Sequence, residues 1–229
     1  MKRSILGCAP LFLCLVACSG SRTHDAHTPE GIFVQPPRFG NPDVELLHGV
    51  VSQVFSDATE VDGNCFAMVS MVTGQPEEMV YATCPANGTD GSTRIVHLVA
   101  SDSIASRLQA EGADAARRIR AIKTEAFLSD AEGAAFRRAW LRALGRAEIQ
   151  TGFPLQREVW REFFFSTYHP GLFQGAVGAF SQNPASGTTA KRLVELAQIL
   201  ASVADLGDQH RVERVSLLAQ ATALAKAIE

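Results

Sequence analysis

The chain has 229 residues, of which 46% are hydrophobic and 20% are charged, and its formal net charge is −3. These proportions are ordinary for a globular protein and provide enough apolar side chains for a sizeable core. A nucleic-acid-binding protein is expected to be basic, so the net negative charge argues against that class. We therefore expect one folded domain, with or without a small appendage, and no nucleic-acid partner.

The first 18 residues have the layout of an export signal. Lys2 and Arg3 precede a short apolar run, which leads through Leu15-Val16-Ala17 to Cys18. The run is shorter than the roughly 20 apolar residues of a membrane-spanning helix, and a plain secretory signal would end in an A-x-A-like site. The stretch resembles the lipobox of bacterial lipoproteins, in which signal peptidase II cuts before the cysteine and that cysteine is then lipidated.

This resemblance implies a signal peptide over residues 1–17 and a mature protein that begins at the lipidated Cys18. One acyl chain alone anchors a protein only marginally, whereas a triacylated cysteine would hold it firmly, so the membrane is an expected partner. Ser19 follows the cysteine where the enterobacterial retention signal would have aspartate. We therefore expect an outer-membrane location, on its periplasmic or cell-surface side.

Residues 18–42 are predicted to form a flexible tether, because Pro29, Pro36, Pro37 and Pro42 interrupt any regular element. Two cysteines, Cys65 and Cys84, then remain in the exported part of the chain. An even pair in an oxidising compartment predicts a disulfide between them. In the chain-entropy model a loop of this length would stabilise the fold by roughly 3 kcal/mol.

Residues 43–102 are predicted to form a β-rich part. The runs 46–55, 65–72, 79–84 and 94–100 are rich in β-branched or apolar residues, and turn signals separate them. They predict a small antiparallel sheet of about four strands, with Cys65 and Cys84 at the open end of a hairpin. His48 and His97 fall in these strands, where we interpret both as satisfied or half-exposed histidines rather than metal ligands.

Residues 103–229 are predicted to be helical, either as a separate part or packed with the β-rich part as one domain. Helical spacing predicts one helix from Ile104 to Ala126, weakened at Gly112, and a third helix from Pro154 to Tyr168. Ser129 and Glu132 have capping-box spacing at the start of another. Two long helices near the end look like an antiparallel pair. The predicted class is α+β, with about five helices in the C-terminal half.

No known catalytic motif is present in the sequence, so the catalytic residues stay unknown and we expect neither a cofactor nor a metal. It contains neither a metalloprotease helix motif nor a nucleophile elbow. Glu158 and Glu162 alternate with arginines, which is typical of a solvated, ion-paired helix face. The aromatic segment from Trp160 to His169 is interpreted as a buried central helix, or as a groove with Tyr168 and His169 at its rim.

Three functional hypotheses follow from these observations. The leading one is a non-enzymatic outer-membrane lipoprotein that binds or scaffolds an envelope protein. The second is a delivered effector, because a lipobox followed by a distinct helical C-terminal part resembles, in outline, lipoprotein-delivered polymorphic toxins. The third is an envelope enzyme that acts on peptidoglycan or lipid, for which Glu158, Glu162 and His169 are the first residues to test.

Overall fold

The computed structural model describes residues 42–56, 64–72, 74–83, 93–145, 161–167, 177–182, 184, 186–207 and 209–229. Six helices and six strands lie in these ranges. In chain order they are α1 (Pro42–Ser56), β1 (Asn64–Val72), β2 (Glu78–Thr83), β3 (Arg94–Ala100), α2 (Ile104–Glu111), α3 (Ala113–Ala116), β4 (Ala121–Phe127), α4 (Asp130–Gly145), β5 (Arg161–Thr167), β6 (Val177–Gln182), α5 (Thr189–Leu206) and α6 (Arg211–Ile228).

The strands form one six-stranded sheet in the order β4-β3-β2-β1-β5-β6, and every neighbouring pair is antiparallel. The α+β class predicted from the sequence is confirmed, with six strands rather than about four. Strands from both sides of the expected boundary at residues 102 and 103 belong to this sheet. The predicted signal peptide (1–17) and residues 18–41 of the tether lie outside the described residues.

Two hydrophobic clusters cover the two faces of the sheet. Side chains alternate between the faces along a strand, so Ile95 of β3 belongs to the cluster that contains residues of α4, α5 and α6, whereas Val96 belongs to the cluster that contains residues of α1, α2 and α3. Strands covered on both sides become continuously apolar. This explains the unbroken run at Cys65–Met68, whose residues are all buried.

The predicted hairpin of residues 65–72 and 79–84 is confirmed as β1 and β2, with Phe66 opposite Ala82 and Val69 opposite Met79. Cys65 is 2% exposed and its sulfur is disulfide-bonded. Cys84, the expected partner, lies outside the described residues. The pairing of these two cysteines therefore stays a prediction.

The first predicted strand is wrong, because residues 46–55 belong to helix α1. Their buried positions, Val50, Val51, Val54 and Phe55, recur with the three- and four-residue spacing of one helix face. That spacing outweighs the β propensity of the valines. His48 therefore lies on a helix and not in a strand.

The single helix expected from Ile104 to Ala126 is also wrong. Gly112, with φ +85°, ends α2 at a conformation that favours glycine, and the short helix α3 then leads to strand β4. Ile122, which lies within the expected helix, is 59% exposed. Residues 121–127 pair with β3, with Ala126 opposite Ile95 and Thr124 opposite His97. This pairing makes the segment a strand despite its helical spacing.

The third predicted helix is wrong where the structure describes it, because residues 161–167 form strand β5. Phe163 and Phe165 are both buried, two residues apart as on one strand face. They stand opposite Ser70 and Met68 of β1. The following apolar segment supplies strand β6 at residues 177–182.

The remaining predicted helices are confirmed. Ser129 and Glu132 form the expected capping box at α4, where the Ser129 amide donates to Glu132 Oε2 over 2.9 Å. Thr188 caps α5, and Gly207, at φ +59°, follows its last residue. Helices α5 and α6 pack as the expected pair, and five of the described helices lie in the C-terminal half.

Candidate functional site

The structure describes only part of the predicted site. Cys18, Glu158, Trp160, Tyr168 and His169 lie outside the described residues. Glu162 lies in β5, opposite Met71 of β1 and Gln182 of β6. It therefore lies on a strand and not on the ion-paired helix face that was predicted for it.

His97 is the predicted residue that the fold places in a polar cluster. It lies in the middle of β3, between Val80 of β2 and Thr124 of β4, and is 5% exposed. Its Nδ1 is 2.9 Å from Oδ1 of Asp205, in the last turn of α5. The Thr124 hydroxyl donates to the same oxygen over 2.6 Å. We call His97, Glu78, Thr124 and Asp205 the His97 cluster.

Two opposing effects act on the pKa of His97. Burial lowers it, because a low dielectric disfavours the charged imidazolium. The carboxylates of Glu78 and Asp205 favour the charged form, and together they raise the pKa above its usual value. Glu78 Oε2 is 3.9 Å from Nε2, which is ion-pair distance but too long for a hydrogen bond. The direct bond to Asp205 is therefore the firmest contact of the imidazolium.

The His97 cluster is arranged to hold a charge rather than to transfer a proton. A general base needs a ring nitrogen within about 3 Å of the proton that it removes. Here Nδ1 faces Asp205, while Nε2 is buried and has no hydrogen-bond partner among the described residues. The Thr124 hydroxyl is directed to Asp205 and not to the imidazole. The cluster therefore acts as an electrostatic tie between the end of α5 and the sheet.

Sequence reasoning anticipated a satisfied histidine at 97 but missed its partners. Asp205 is 108 residues away, and no periodicity connects the two positions. Glu77 is 2% exposed, and its carboxylate accepts hydrogen bonds from the amides of Ile104 at 2.6 Å and Ala105 at 2.9 Å, which caps the start of α2.

Helix α6 has apolar residues on the side that faces away from the core. Its inner face buries Ala221, Ala225 and Ile228. On the opposite side Val212 is 81% exposed and Val215 is 62% exposed. Ala219 and Ala223 continue this line along the helix and are exposed too. We call the four residues Val212, Val215, Ala219 and Ala223 the outer α6 stripe.

None of the helices in the described part of the chain is long and apolar enough to cross a membrane. The same residues contain no group of three or more His, Cys, Asp or Glu side chains that could hold a metal ion. No protein-family model, curated protein or solved structure shows significant similarity to this chain.

Proposed function

We propose that this chain is a bacterial outer-membrane lipoprotein with a non-enzymatic binding or scaffolding role in the cell envelope. The location rests on Leu15-Val16-Ala17-Cys18, which follows a basic start and a short apolar run. Lipidation at Cys18 would anchor the protein, and residues 18–41 would tether the folded domain, which begins with α1 at Pro42, to the membrane. The binding role rests on one structural observation, the outer α6 stripe.

The outer α6 stripe is suited to a helix of another envelope protein. Its members recur at intervals of three and four residues, which is the spacing of one helix face. Two of them are alanines, and small side chains let a second helix axis come close. A solvent-facing helix would otherwise carry polar residues on this side. The stripe therefore favours a partner with an apolar helix face.

The charge in line with the stripe favours a partner with an acidic residue. Lys226 continues the stripe three residues after Ala223, whereas Arg211 and Glu213 flank Val212 at 100° on either side and so offset each other. Two parallel α6 helices would bring Lys226 towards itself. A partner helix with an acidic residue opposite Lys226, beside its apolar face, would complement the stripe.

The anchor is tested with Cys18→Ser in the full chain, expressed in a Gram-negative bacterium. The unaltered chain should take up radioactive palmitate and separate with the outer membrane on a density gradient. Cys18→Ser should lose both properties, and the matched variant Cys14→Ser, four residues earlier, should keep both. Palmitate labelling that persists in Cys18→Ser would contradict the anchor.

The partner is tested with a photo-reactive residue at position 215 and, as control, at the exposed position 213 of the same turn. Position 215 should give one heterologous adduct that position 213 does not. The captured protein, once purified, should bind Val212→Ser/Val215→Ser at least tenfold more weakly than the unaltered chain, because burying each valine contributes about 1.5 kcal/mol or more. Glu213→Gln should bind normally. An adduct of two copies of this chain, or equal binding by the double variant, would refute the proposal.

Neither alternative function gains an observation from the structure. The effector hypothesis expects a distinct C-terminal part, but residues 103–229 supply β4, β5 and β6 to the sheet that also contains β1–β3. The enzyme hypothesis named Glu158, Glu162 and His169. Among these only Glu162 lies in a described element, within strand β5.

A further inference from the structure

Strand β4 is an edge of the sheet, and it carries two of the most exposed large apolar side chains. Ile122 is 59% exposed and Phe127 is 46% exposed. Only β3 pairs with β4 among the described strands. Natural edge strands are usually short, covered or charged, because an open edge can pair with another chain. A seven-residue edge with exposed Ile and Phe needs a specific explanation.

The sequence of β4 is complementary to itself. In Ala121-Ile122-Lys123-Thr124-Glu125-Ala126-Phe127, charges of opposite sign lie on either side of the central threonine. When two copies run antiparallel with Thr124 opposite Thr124, each Lys123 faces the Glu125 of the other copy. Opposite charges across an antiparallel pair stabilise it, and like charges destabilise it.

The charges also select this register over its neighbours. A pair centred on Lys123 would place two lysines opposite each other, and a pair centred on Glu125 would place two glutamates there. In the register centred on Thr124, Ile122 faces Ala126 and Phe127 faces Ala121, so all the cross-strand pairs outside the centre are apolar or oppositely charged. The two-fold axis forms each pair twice, as in an isologous dimer.

We propose that β4 pairs with β4 of a second copy, which joins two six-stranded sheets into one continuous sheet. The occupant of this edge is thus the same chain, whereas the outer α6 stripe is suited to a different protein. This inference does not depend on lipidation or on the partner of α6. Lys123 Nζ lies 3.2 Å from Glu125 Oε2 of the same strand. In the dimer each Lys123 would also face the Glu125 of the other copy.

The proposal is tested with single cysteines in the full chain, oxidised in intact cells and separated without reducing agent. Thr124→Cys should form a covalent dimer, because directly opposite Cβ atoms lie about 4.5–5.5 Å apart, near the disulfide range. Ile122→Cys on the same strand is the control. It is more exposed than Thr124, but it would lie about four residue steps, roughly 13 Å, from its own copy. The unaltered chain, with its own cysteines, shows the background.

A second measurement does not need Thr124→Cys, which loses the bond to Asp205, to fold correctly. Lys123→Glu should raise the dimer dissociation constant at least tenfold in sedimentation, since every cross-strand charge pair becomes repulsive. The exchange variant Lys123→Glu/Glu125→Lys should restore dimerisation. The proposal would be overturned if folded Thr124→Cys protein formed no covalent dimer. That is the result expected if another segment of the same chain covers the edge. Equal crosslinking at positions 122 and 124, or no effect of Lys123→Glu, would overturn the proposal as well.

Discussion

Asp205→Asn should destabilise the fold more at about pH 6 than at about pH 9. The Asp205 carboxylate is 2.9 Å from Nδ1 of His97. A hydrogen bond between charged groups contributes about 1.5–3 kcal/mol, and one between neutral groups about 0.5–1.5 kcal/mol. We therefore expect the variant to lose about 1–2 kcal/mol of unfolding free energy while His97 is protonated, and less once it is neutral.

The sign of this pH dependence follows from the pKa of His97. Burial opposes the charge, but Glu78 and Asp205 raise the pKa above the value in the unfolded chain. The folded protein thus binds the proton more tightly, so this contribution is complete below the unfolded pKa and is lost as pH rises through the folded one. Within that window the contribution of His97 to the stability of the unaltered chain should fall by at most about 1.4 kcal/mol per pH unit. Asp205→Asn should flatten this slope.

Urea unfolding between about pH 5.5 and pH 9, followed by tryptophan fluorescence, measures the effect. Trp140 is a suitable probe because it is 1% exposed and stacks on Phe66 at 4.9 Å. The control is Asp114→Asn, whose side chain is 88% exposed and whose ion pair should matter by less than about 0.5 kcal/mol. Thr124→Val should lower the unfolding free energy by an amount that does not change with pH. If Asp205→Asn lowered stability equally across the range, the ionic account of the cluster would be wrong.

Two further changes test the packing around the sheet. Gly133→Ala should lower the unfolding free energy by about 1–3 kcal/mol, because a Cβ at this position of α4 would lie 2.5 Å from Thr93 Oγ1. Gly145→Ala, with no heavy atom within 4 Å of its Cβ, should change the unfolding free energy little. Equal melting temperatures of the two variants would contradict the clash. Glu77→Gln should lower the unfolding free energy by about 1–3 kcal/mol and speed amide hydrogen exchange at Ile104 and Ala105, whereas the exposed Glu111→Gln should do neither. Unchanged exchange at both amides would show that Glu77 is not the cap.

Predictions that rest on local chemistry agree with the structure. The capping box of Ser129 and Glu132 starts α4, and the Thr188 side chain accepts from the Lys191 amide at the start of α5. Gly207 follows the last residue of α5. These signals concern groups within four residues of each other, so they act before any tertiary contact forms.

Predictions that rest on apolar spacing alone failed where two periods compete. Residues 121–127 fit one helix face as well as one strand face, and only pairing with β3 separates the two. Phe163 and Phe165 lie in a strand because β5 pairs with β1, which places them opposite Ser70 and Met68. In α1 the opposite happened, because the helical spacing of its valines mattered more than their β propensity.

The sequence by itself determined the α+β class, the helices α4 to α6, the β1–β2 hairpin and the expectation of a lipid anchor at Cys18. Each of these depends on residues that are close together in the chain. Only the tertiary structure decided that six strands form one sheet, that Asp205 meets His97, and that β4 lies at an edge with Ile122 exposed. These features depend on contacts between distant residues, whose free energy no local pattern records.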